Sequence, residues 1–525
     1  MSPSPSPWKP LHARPYRLLW LGGSAYFLGN AMLSMAASWL MIELTGSSFL
    51  AALVQTASFL PMFLLSLPAG VMADTADRRR IILRSLSVYS ATALLLAAMS
   101  LAGLAGAGTL LTLTFVMGCC TALQSPAWNS AVVDTVDRGD LPQAITLTAM
   151  SYNAARAVGP AIAGLLFAWI GSPLVFALAI ATGLAMLQSI RLAPPAPHPT
   201  AKLPPERMWG GILSALRFAR HSQAILAQLV RTVAFGGIGS ALWSLLPAIA
   251  LQLGLGAAGY GFLLGCLGVG AVAAGFFIAR VRGRFGLEAM VGASCAIFGL
   301  AMLVAGWSPW NLPVYLTLVF GGAAWMAVMS TLNAATQTSA PQWVRARAAS
   351  LHTLSALGSF ALGAAFWGAL SAAFGLTGTL SLAAAAMLAS MALSRHFTLR
   401  MGEDKDVTQA TPWEDLFVAE EPPPGSGPVA VEIVYRIEAA QTTHFLAALE
   451  RLRAPRRRDG ATFWRVYRDL SNPARYVERF IVDSWVDYLR QRARATLADR
   501  DLEAQVRSFH TGADPIVVQH YIAER

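Results

Sequence analysis

The chain has 525 residues, 55% of them hydrophobic and only 13% charged, with a formal net charge of +11. A charged share about half that of an ordinary soluble domain excludes a soluble enzyme of this length and a disordered chain. The positive excess does not point to nucleic acid: residues 1–397 hold 21 Lys and Arg against 8 Asp and Glu, whereas 398–525 hold 18 against 20. The excess sits among apolar runs. Cys119, Cys120, Cys266 and Cys295 also fall inside those runs without metal-ligand spacing, so no disulfide framework, zinc site or cofactor is indicated.

A hydrocarbon core about 30 Å thick needs roughly 20 apolar helical residues. Twelve such runs occur, near 18–43, 49–72, 81–104, 108–133, 144–170, 173–193, 222–253, 258–280, 287–307, 311–336, 346–374 and 376–397. Met1 to Pro10 has no apolar core of its own, so no cleavable signal peptide is predicted. Basic residues mark alternate loops. Arg14 and Arg17 precede span 1; Arg78, Arg79, Arg80 and Arg84 follow span 2; Arg138 follows span 4. Arg191, Lys202, Arg207, Arg217 and Arg220 follow span 6; Arg280, Arg282 and Arg284 follow span 8; Arg345 and Arg347 follow span 10; Arg395 ends span 12. The other loops, among them Thr45 to Ser48 and Gly254 to Ala257, hold no Lys or Arg. Arg makes up 36 of the 39 basic residues, a composition that suits a bacterial source and hence a bacterial inner membrane, and by the positive-inside rule both termini of this multi-pass chain are expected to be cytoplasmic.

Between spans 6 and 7, Pro194, Pro195, Pro197, Pro199, Pro204 and Pro205 exclude a continuous helix. Trp209, Ile212, Leu213 and Leu216 then sit at helical spacing opposite Arg217 and Arg220, which predicts a short helix on the cytoplasmic membrane surface. The expected organisation is a six-helix bundle at 1–193, a central loop at 194–221, a second bundle at 222–397, a linker at 398–428 and a soluble domain at 429–525. The halves echo each other. Gly159 and Gly164 of span 5 match Gly358 and Gly363 of span 11, and Asn129 of span 4 has a counterpart in Asn333 of span 10. Such repeats suit two bundles rocking about a midplane site, although small-residue membrane helices also resemble one another through shared packing needs.

Polar side chains inside a span are expensive and therefore informative. Besides the arginines already named at span ends, Arg156 and Arg231 are the two basic residues well inside spans. Arg156, one turn before Pro160, is expected to face water, an anionic solute or a polar partner such as Gln124 or Asn129. Arg231 lies near a cytoplasmic end, where snorkelling is the alternative. Asn30, Gln55, Gln124, Asn129, Tyr152, Asn153, Trp243, Asn333 and Gln337 are candidates for a substrate cavity or, singly, for helix–helix hydrogen bonds. Mixed with Phe, Met and Trp, they suit a large amphipathic solute better than a sugar or an ion. No Asp or Glu lies at mid-membrane. Glu43, at the external end of span 1, and His352, early in span 11, are the candidates for proton coupling, with a packing histidine as the alternative at His352.

The loop after span 2 carries Gly70, Asp74, Thr75, Asp77, Arg78, Arg79 and Arg80. It is similar to the loop 2–3 motif of the major facilitator superfamily: a glycine, an aspartate four residues on, and a tight turn into a basic pair. The resemblance implies an all-α membrane fold of twelve helices in two six-helix halves. It also implies that Gly70, Asp74, Arg78 and Arg79 form a conformational latch, with the start of span 11, near Arg345, Arg347 and Ala348, as partner. A solvated charged loop is the alternative for Arg78 to Arg80. Thr75 stands where a basic residue is common and Asp77 where glycine is usual. Gly159, Pro160 and Gly164 resemble the second half of the superfamily's antiporter motif, which implies export, with ordinary tight packing as the alternative. The segments Trp39 to Glu43, Gln124 to Ala127 and Arg231 to Pro247 resemble the branch that holds siderophore exporters and transmembrane secretion effectors. No Walker-type phosphate loop occurs, so a proton gradient is the expected energy source.

After a linker rich in Pro and acidic residues, Val429–Ile437 alternates like a strand and Gln441–Leu452 has helical spacing. Thr462–Asp469 and Tyr476–Val482 read as strands around the turn Ser471-Asn472-Pro473; Trp485–Arg494 and Leu502–Phe509 are helical, and Pro515–Ile522 is a last strand. The order predicts a small α+β ferredoxin-like domain. It resembles the dimeric α/β-barrel domains related to antibiotic-biosynthesis monooxygenases, which implies a homodimer through the sheet. Tyr488 and Arg492 stand where histidines are common in such domains.

The expected function is proton-coupled export of an amphipathic small molecule, siderophore- or drug-like, across the bacterial inner membrane by a chain embedded in the lipid bilayer, without nucleic acid, metal or catalysis. The alternative is a membrane-tethered enzyme or sensor whose tail modifies or binds the substrate; an uptake carrier is the third reading.

Overall fold

In hydrocarbon a backbone can satisfy its own hydrogen bonds only as a helix or a closed barrel, and here every predicted span is helical. The computed structural model describes residues 8–137, 139–193, 208–411, 418, 420–511 and 514–524; the side chains of 71, 74, 75, 133, 142, 208–212 and 279 lie outside that description. Arg138, Lys202, Arg207 and the prolines of the central loop are therefore not covered.

Spans 1 to 6 are α1 (Arg14–Thr45), α2 (Ser48–Thr75), α3 (Arg78–Leu101), α4 (Ala107–Asp134), α5 (Leu141–Ile170) and α6 (Ser172–Leu192). The short α7 (Met208–His221) precedes α8 (Gln223–Gln252), α9 (Ala257–Phe285), α10 (Leu287–Trp307) and α11 (Asn311–Thr338), which are spans 7 to 10. Among the described residues eleven helices, not twelve, are long and apolar enough to cross a membrane. The difference arises because spans 11 and 12 run together as α12 (Arg345–Ala389), which breaks at Gly375, where φ is 72° and ψ 169°. Only glycine takes that backbone conformation readily, and the break falls where the sequence places the turn.

The chain groups into two compact units: Met1–Lys202 with Arg231–Thr331 and Leu354–Ser394, and Leu203–Val230 with Leu332–Thr353 and Arg395–Arg525. In the first, α1 packs on α5 and α6, α4 on α2 and α3, and α5 on α9. Phe276, Phe320, Phe374 and Leu101 are exposed, which suits a lipid-facing surface. Trp169, Trp307 and Trp310, also exposed, lie beside the turns that carry no basic residue, as in an interfacial aromatic belt.

In the second unit α7 buries Ala215, Phe218 and Ala219 against Ile225 of α8 and Ala340, Val344 and Ala348 around the α11–α12 turn. Leu213 and Leu216 of α7 remain 58% and 48% exposed, as a helix resting on a membrane surface requires. The side chains of Trp209 and Ile212 lie outside the described residues. After α13 (Asp404–Val407) come β1 (Val429–Arg436), α14 (Thr442–Asp459), β2 (Phe463–Arg468), β3 (Arg475–Val482), α15 (Trp485–Arg494), α16 (Leu497–Arg507) and β4 (Val517–Ile522). The strand order β2-β3-β1-β4, antiparallel throughout, is ferredoxin-like. Alternate residues Val429, Val431, Ile433 and Tyr435 of β1 form a core with Phe445, Leu449 and Leu452 of α14 and Trp485 of α15.

Helix α14 runs through Pro455 to Asp459 rather than stopping at Leu452, because buried acids hold its end. Glu478, fully buried, accepts from Arg456 Nε (3.1 Å), Trp464 Nε1 (3.0 Å) and Tyr435 OH (3.2 Å). Arg458 bonds both oxygens of Asp459 and also pairs with Asp499. The 398–428 segment is partly pinned: Gln409 bridges Thr496, and Ala410 N donates to Ala495 O.

Candidate transport site

The turn between α2 and α3 is only Ala76 and Asp77. Asp77, where glycine is usual, caps α3: its Oδ1 accepts from Arg80 N at 3.2 Å. Arg78 Nη1 lies 2.7 Å from Asp134 Oδ2 at the end of α4, and its Nε donates to Ala73 O. Arg79 donates to Arg191 O at the end of α6. The first two arginines of this loop therefore tie four helix ends together and are not simply solvated, whereas Arg80 is exposed beside Asp77. Asp134 as the anchor was not read from the sequence, although an acid ending a span beside a basic loop is the signal that could have found it. Asp74 lies in the last turn of α2, and its side chain is outside the described residues. Among the described residues a Cβ at Gly70 would meet nothing within 4 Å, so no close helix approach is seen at that glycine.

Arg156 is exposed on α5, one turn before Pro160. Its guanidinium carbon lies 5.8 Å from the Tyr152 ring centroid and 5.6 Å from that of Trp243 on α8. These aromatic faces are its described contacts, and among the described residues it forms no ion pair and no hydrogen bond to Gln124 or Asn129. Aromatic faces attract a cation without neutralising it. Gln124 is buried and Asn129 exposed. Gln124 Oε1, Trp128 Nε1 and Trp243 Nε1 are buried atoms with no hydrogen-bond partner among the described residues. Polar atoms left so inside a span are costly unless water or a solute reaches them. Trp128 is thus a candidate the sequence reading missed.

Other candidates are used within the bundle. Asn30 Oδ1 accepts from Tyr89 OH (3.3 Å), Gln55 Nε2 donates to Ser38 (3.3 Å), and Asn153 donates to Ala149 O one turn back. Arg231 is nearly fully buried and does not snorkel: its Nη1 is 3.4 Å from Glu288 Oε2 at the start of α10. In the second unit, Asn333 Oδ1 accepts from Gln337, and His352 is buried in α12. Glu43 is exposed near the end of α1.

The Gly159, Pro160 and Gly164 segment packs closely on α9. A Cβ on Gly164 would lie 2.6 Å from Ala257 O and 3.0 Å from Gly261 Cα, both on α9. Gly261 and Gly268 of α9 answer it, packing on Pro160 and Gly164 and on Ala157 of α5. Their spacing of three and four through Gly265 was visible in the sequence but was not singled out. The repeat in span 11 is imperfect in its packing: Gly159 faces α1 and Gly164 faces α9, whereas Gly358 faces Phe63 of α2 and Gly363 faces Gly237 of α8.

In the tail, Tyr488 OH lies 2.6 Å from His520 Nε2 and accepts from Arg492 Nη1 at 3.2 Å. Burial pushes the Asp459 carboxyl up to about 6 despite its pairing with Arg458. The hydroxyl of Ser471 and the guanidinium of Arg475 hold Asp469, at the β2–β3 turn, well below the ordinary carboxylate range.

A bundle of long apolar helices with paired glycine contacts and one exposed arginine among aromatic rings is the build of a secondary transporter of the major facilitator fold. That fold is shared with a bacterial homologue of the human lysosomal transporter Spinster (17% identity, TM-score 0.59, covering 74% of this chain and 98% of that one). It is shared also with the nucleoside transporter NupG (11% identity, TM-score 0.60, 74% and 100%). The chain belongs to the transmembrane secretion effector family, whose match runs over residues 5–525 and so includes the tail. It is similar to the multidrug efflux pump Tap of Mycobacterium tuberculosis, 28% identical over 378 residues (67% of this chain, 85% of the relative). It is likewise 28% identical over 374 residues to the enterobactin exporter EntS of Citrobacter koseri (68% and 85%). The chain is therefore a multi-pass membrane transporter of small molecules and not an enzyme.

Proposed function

We propose that this transporter moves an anionic, amphipathic solute of siderophore or drug type outward across the bacterial inner membrane, driven by the proton gradient, with both termini in the cytoplasm. The observation that carries the reading is Arg156, exposed beside the rings of Tyr152 and Trp243 and without an acidic partner among the described residues. Such a group offers charge to a carboxylate or catecholate and flat apolar surface to a ring. Gln124, Trp128 and Trp243 each add a buried polar atom with no partner among the described residues, and similarity to the multidrug efflux pump Tap and the enterobactin exporter EntS favours export.

In this reading the bundles at 1–193 and 222–397 rock about that cavity, joined by the loop at 194–221. The 398–428 linker carries a domain at 429–525 that dimerises through its sheet. Asp74 with Gly70, Arg78 and Arg79 latches the cytoplasmic side, and Glu43 and His352 are the titratable groups assigned to proton coupling. The test is solute accumulation in cells with and without the gene, over a panel of siderophores and antibiotics, before and after an uncoupler. Lower accumulation of anionic members, abolished by the uncoupler, is expected. Unchanged accumulation across the panel, or outflow that persists without a gradient, would overturn the reading.

A further inference from the structure

The tail makes an unusual grip within the second unit. Arg458, near the end of α14, has its guanidinium carbon 5.6 Å from the Phe218 ring centroid on α7. Phe218 meets Trp343 of the α11–α12 turn edge to face, with centroids 5.5 Å apart and planes at 89°. Arg494, at the end of α15, lies 4.1 Å from the Trp343 centroid. Two aromatic rings from the transporter's own helices and turn are thus enclosed between two arginines of the soluble domain.

Neither arginine is a loose surface group. Arg458 Nε and Nη2 each donate to Asp459 at 2.8 Å, and Arg494 Nη1 donates to Asp459 O at 3.1 Å. One residue therefore sets both guanidinium groups, so little side-chain freedom remains to be lost in the contact. Around the stack, Arg217 Nη1 of α7 donates to Gly460 O (2.9 Å) and Arg347 Nη1 of α12 to Ser214 Oγ (3.3 Å). Beneath it, the small core of Ala215, Ala219, Ile225, Ala340, Val344 and Ala348 is buried.

We propose that the soluble domain is a staple for the α11–α12 turn, and that the Arg458–Phe218–Trp343–Arg494 stack fixes the cytoplasmic ends of α8, α11 and α12 as one body. Three spans leave this unit for the membrane, so a loose turn would let each end bend alone. A gripped turn makes them move together, which rocking of a whole half demands. The partner of this α14–α15 face of the domain is therefore its own chain. The consequence for transport rests on the transporter reading above; the mechanical claim does not.

Hydrogen exchange on the full-length protein in lipid nanodiscs separates the two. In Arg494→Ala and, independently, Trp343→Ala, the amides of Val344 and Ala348 should exchange about tenfold faster than in the unsubstituted protein, the loss expected for one such contact. Peptides of β1 and β3 should stay protected, and Arg494→Lys should fall between. Efflux should slow at equal membrane level. Unchanged exchange at 340–348 in both alanine variants overturns the staple. Loss of protection in β1 and β3 by Arg494→Ala would move the decision to Trp343→Ala, which leaves the domain's own residues intact. No substrate enters this measurement, so failure of the export reading would leave its result standing.

Discussion

The contact between α5 and α9 allows the sharpest test of how the bundle works. Alanine at Gly261 would place a Cβ against Pro160 O and 3.0 Å from Gly164 Cα, whereas ordinary contact begins near 3.4 Å. The helices must separate by several tenths of an ångström, and overpacking of this kind costs about 1–3 kcal/mol. Only states in which α5 and α9 approach this closely bear that cost, so the balance between states shifts by roughly 5- to 150-fold. Gly265 lies one turn along the same face, but a Cβ there would have its nearest neighbour, Ala161 Cβ, at 3.6 Å. Initial efflux rates in everted vesicles, normalised to membrane level, should therefore fall severely in Gly261→Ala and barely in Gly265→Ala. Equal effects in the two variants, or wild-type rates in Gly261→Ala, would refute the reasoning.

Further tests address each part of the chain. Arg156→Ala should impair export of anionic solutes more than neutral ones, with Arg156→Lys milder; equal loss in a two-solute efflux assay would reduce Arg156 to packing. Asp74→Asn should abolish transport while the protein still inserts, and normal transport would remove the latch. Glu478→Gln removes one of the two ion pairs that Arg456 makes among the described residues, leaving Glu503, beneath the tail's sheet. A loss of about 3 kcal/mol should lower the tail's melting temperature on the order of 10 °C, and a calorimetric shift of a degree or two would contradict the network's role. On the outer sheet face, Val434 lies opposite Val477 and Val517, and Ala430 opposite Ile481 and Tyr521. Light scattering on residues 429–525 should accordingly show a dimer, and a monomer at every concentration would count against it.

Much of the fold was legible because the bilayer imposes a length and a charge rule that hold residue by residue, from which the spans and the Gly375 turn follow; the four strands of the tail follow instead from two-residue alternation and turn residues. The site was less so. Arg156 could be placed near a cavity from its distance to Pro160, and Tyr152 is one turn back on the same helix, yet Trp243 comes from α8, and no local period encodes that meeting. Arg231 read as a snorkelling cation because Glu288 lies 57 positions away in sequence and ends up 3.4 Å distant in space. Phe218 and Trp343 are similar cases, ordinary apolar residues until the tail's arginines are beside them.

The 398–428 segment looked like a generous tether, and its anchors make it something else. Gln228 Nε2 donates to Arg400 O, Met401 Sδ receives Thr338 Oγ1, and Gly402 lies against the end of α11. By Thr408, whose carbonyl accepts from Leu497 N, the chain already belongs to the soluble domain. The run from Glu403 to Val407 is the intervening leash, at most about 18 Å even if α13 were pulled straight. A domain so tethered meets its own turn at an effective concentration in the millimolar range or above. A free copy of the same domain, supplied in the cytoplasm at micromolar levels, would compete poorly for that place, and each transporter keeps the tail it was made with.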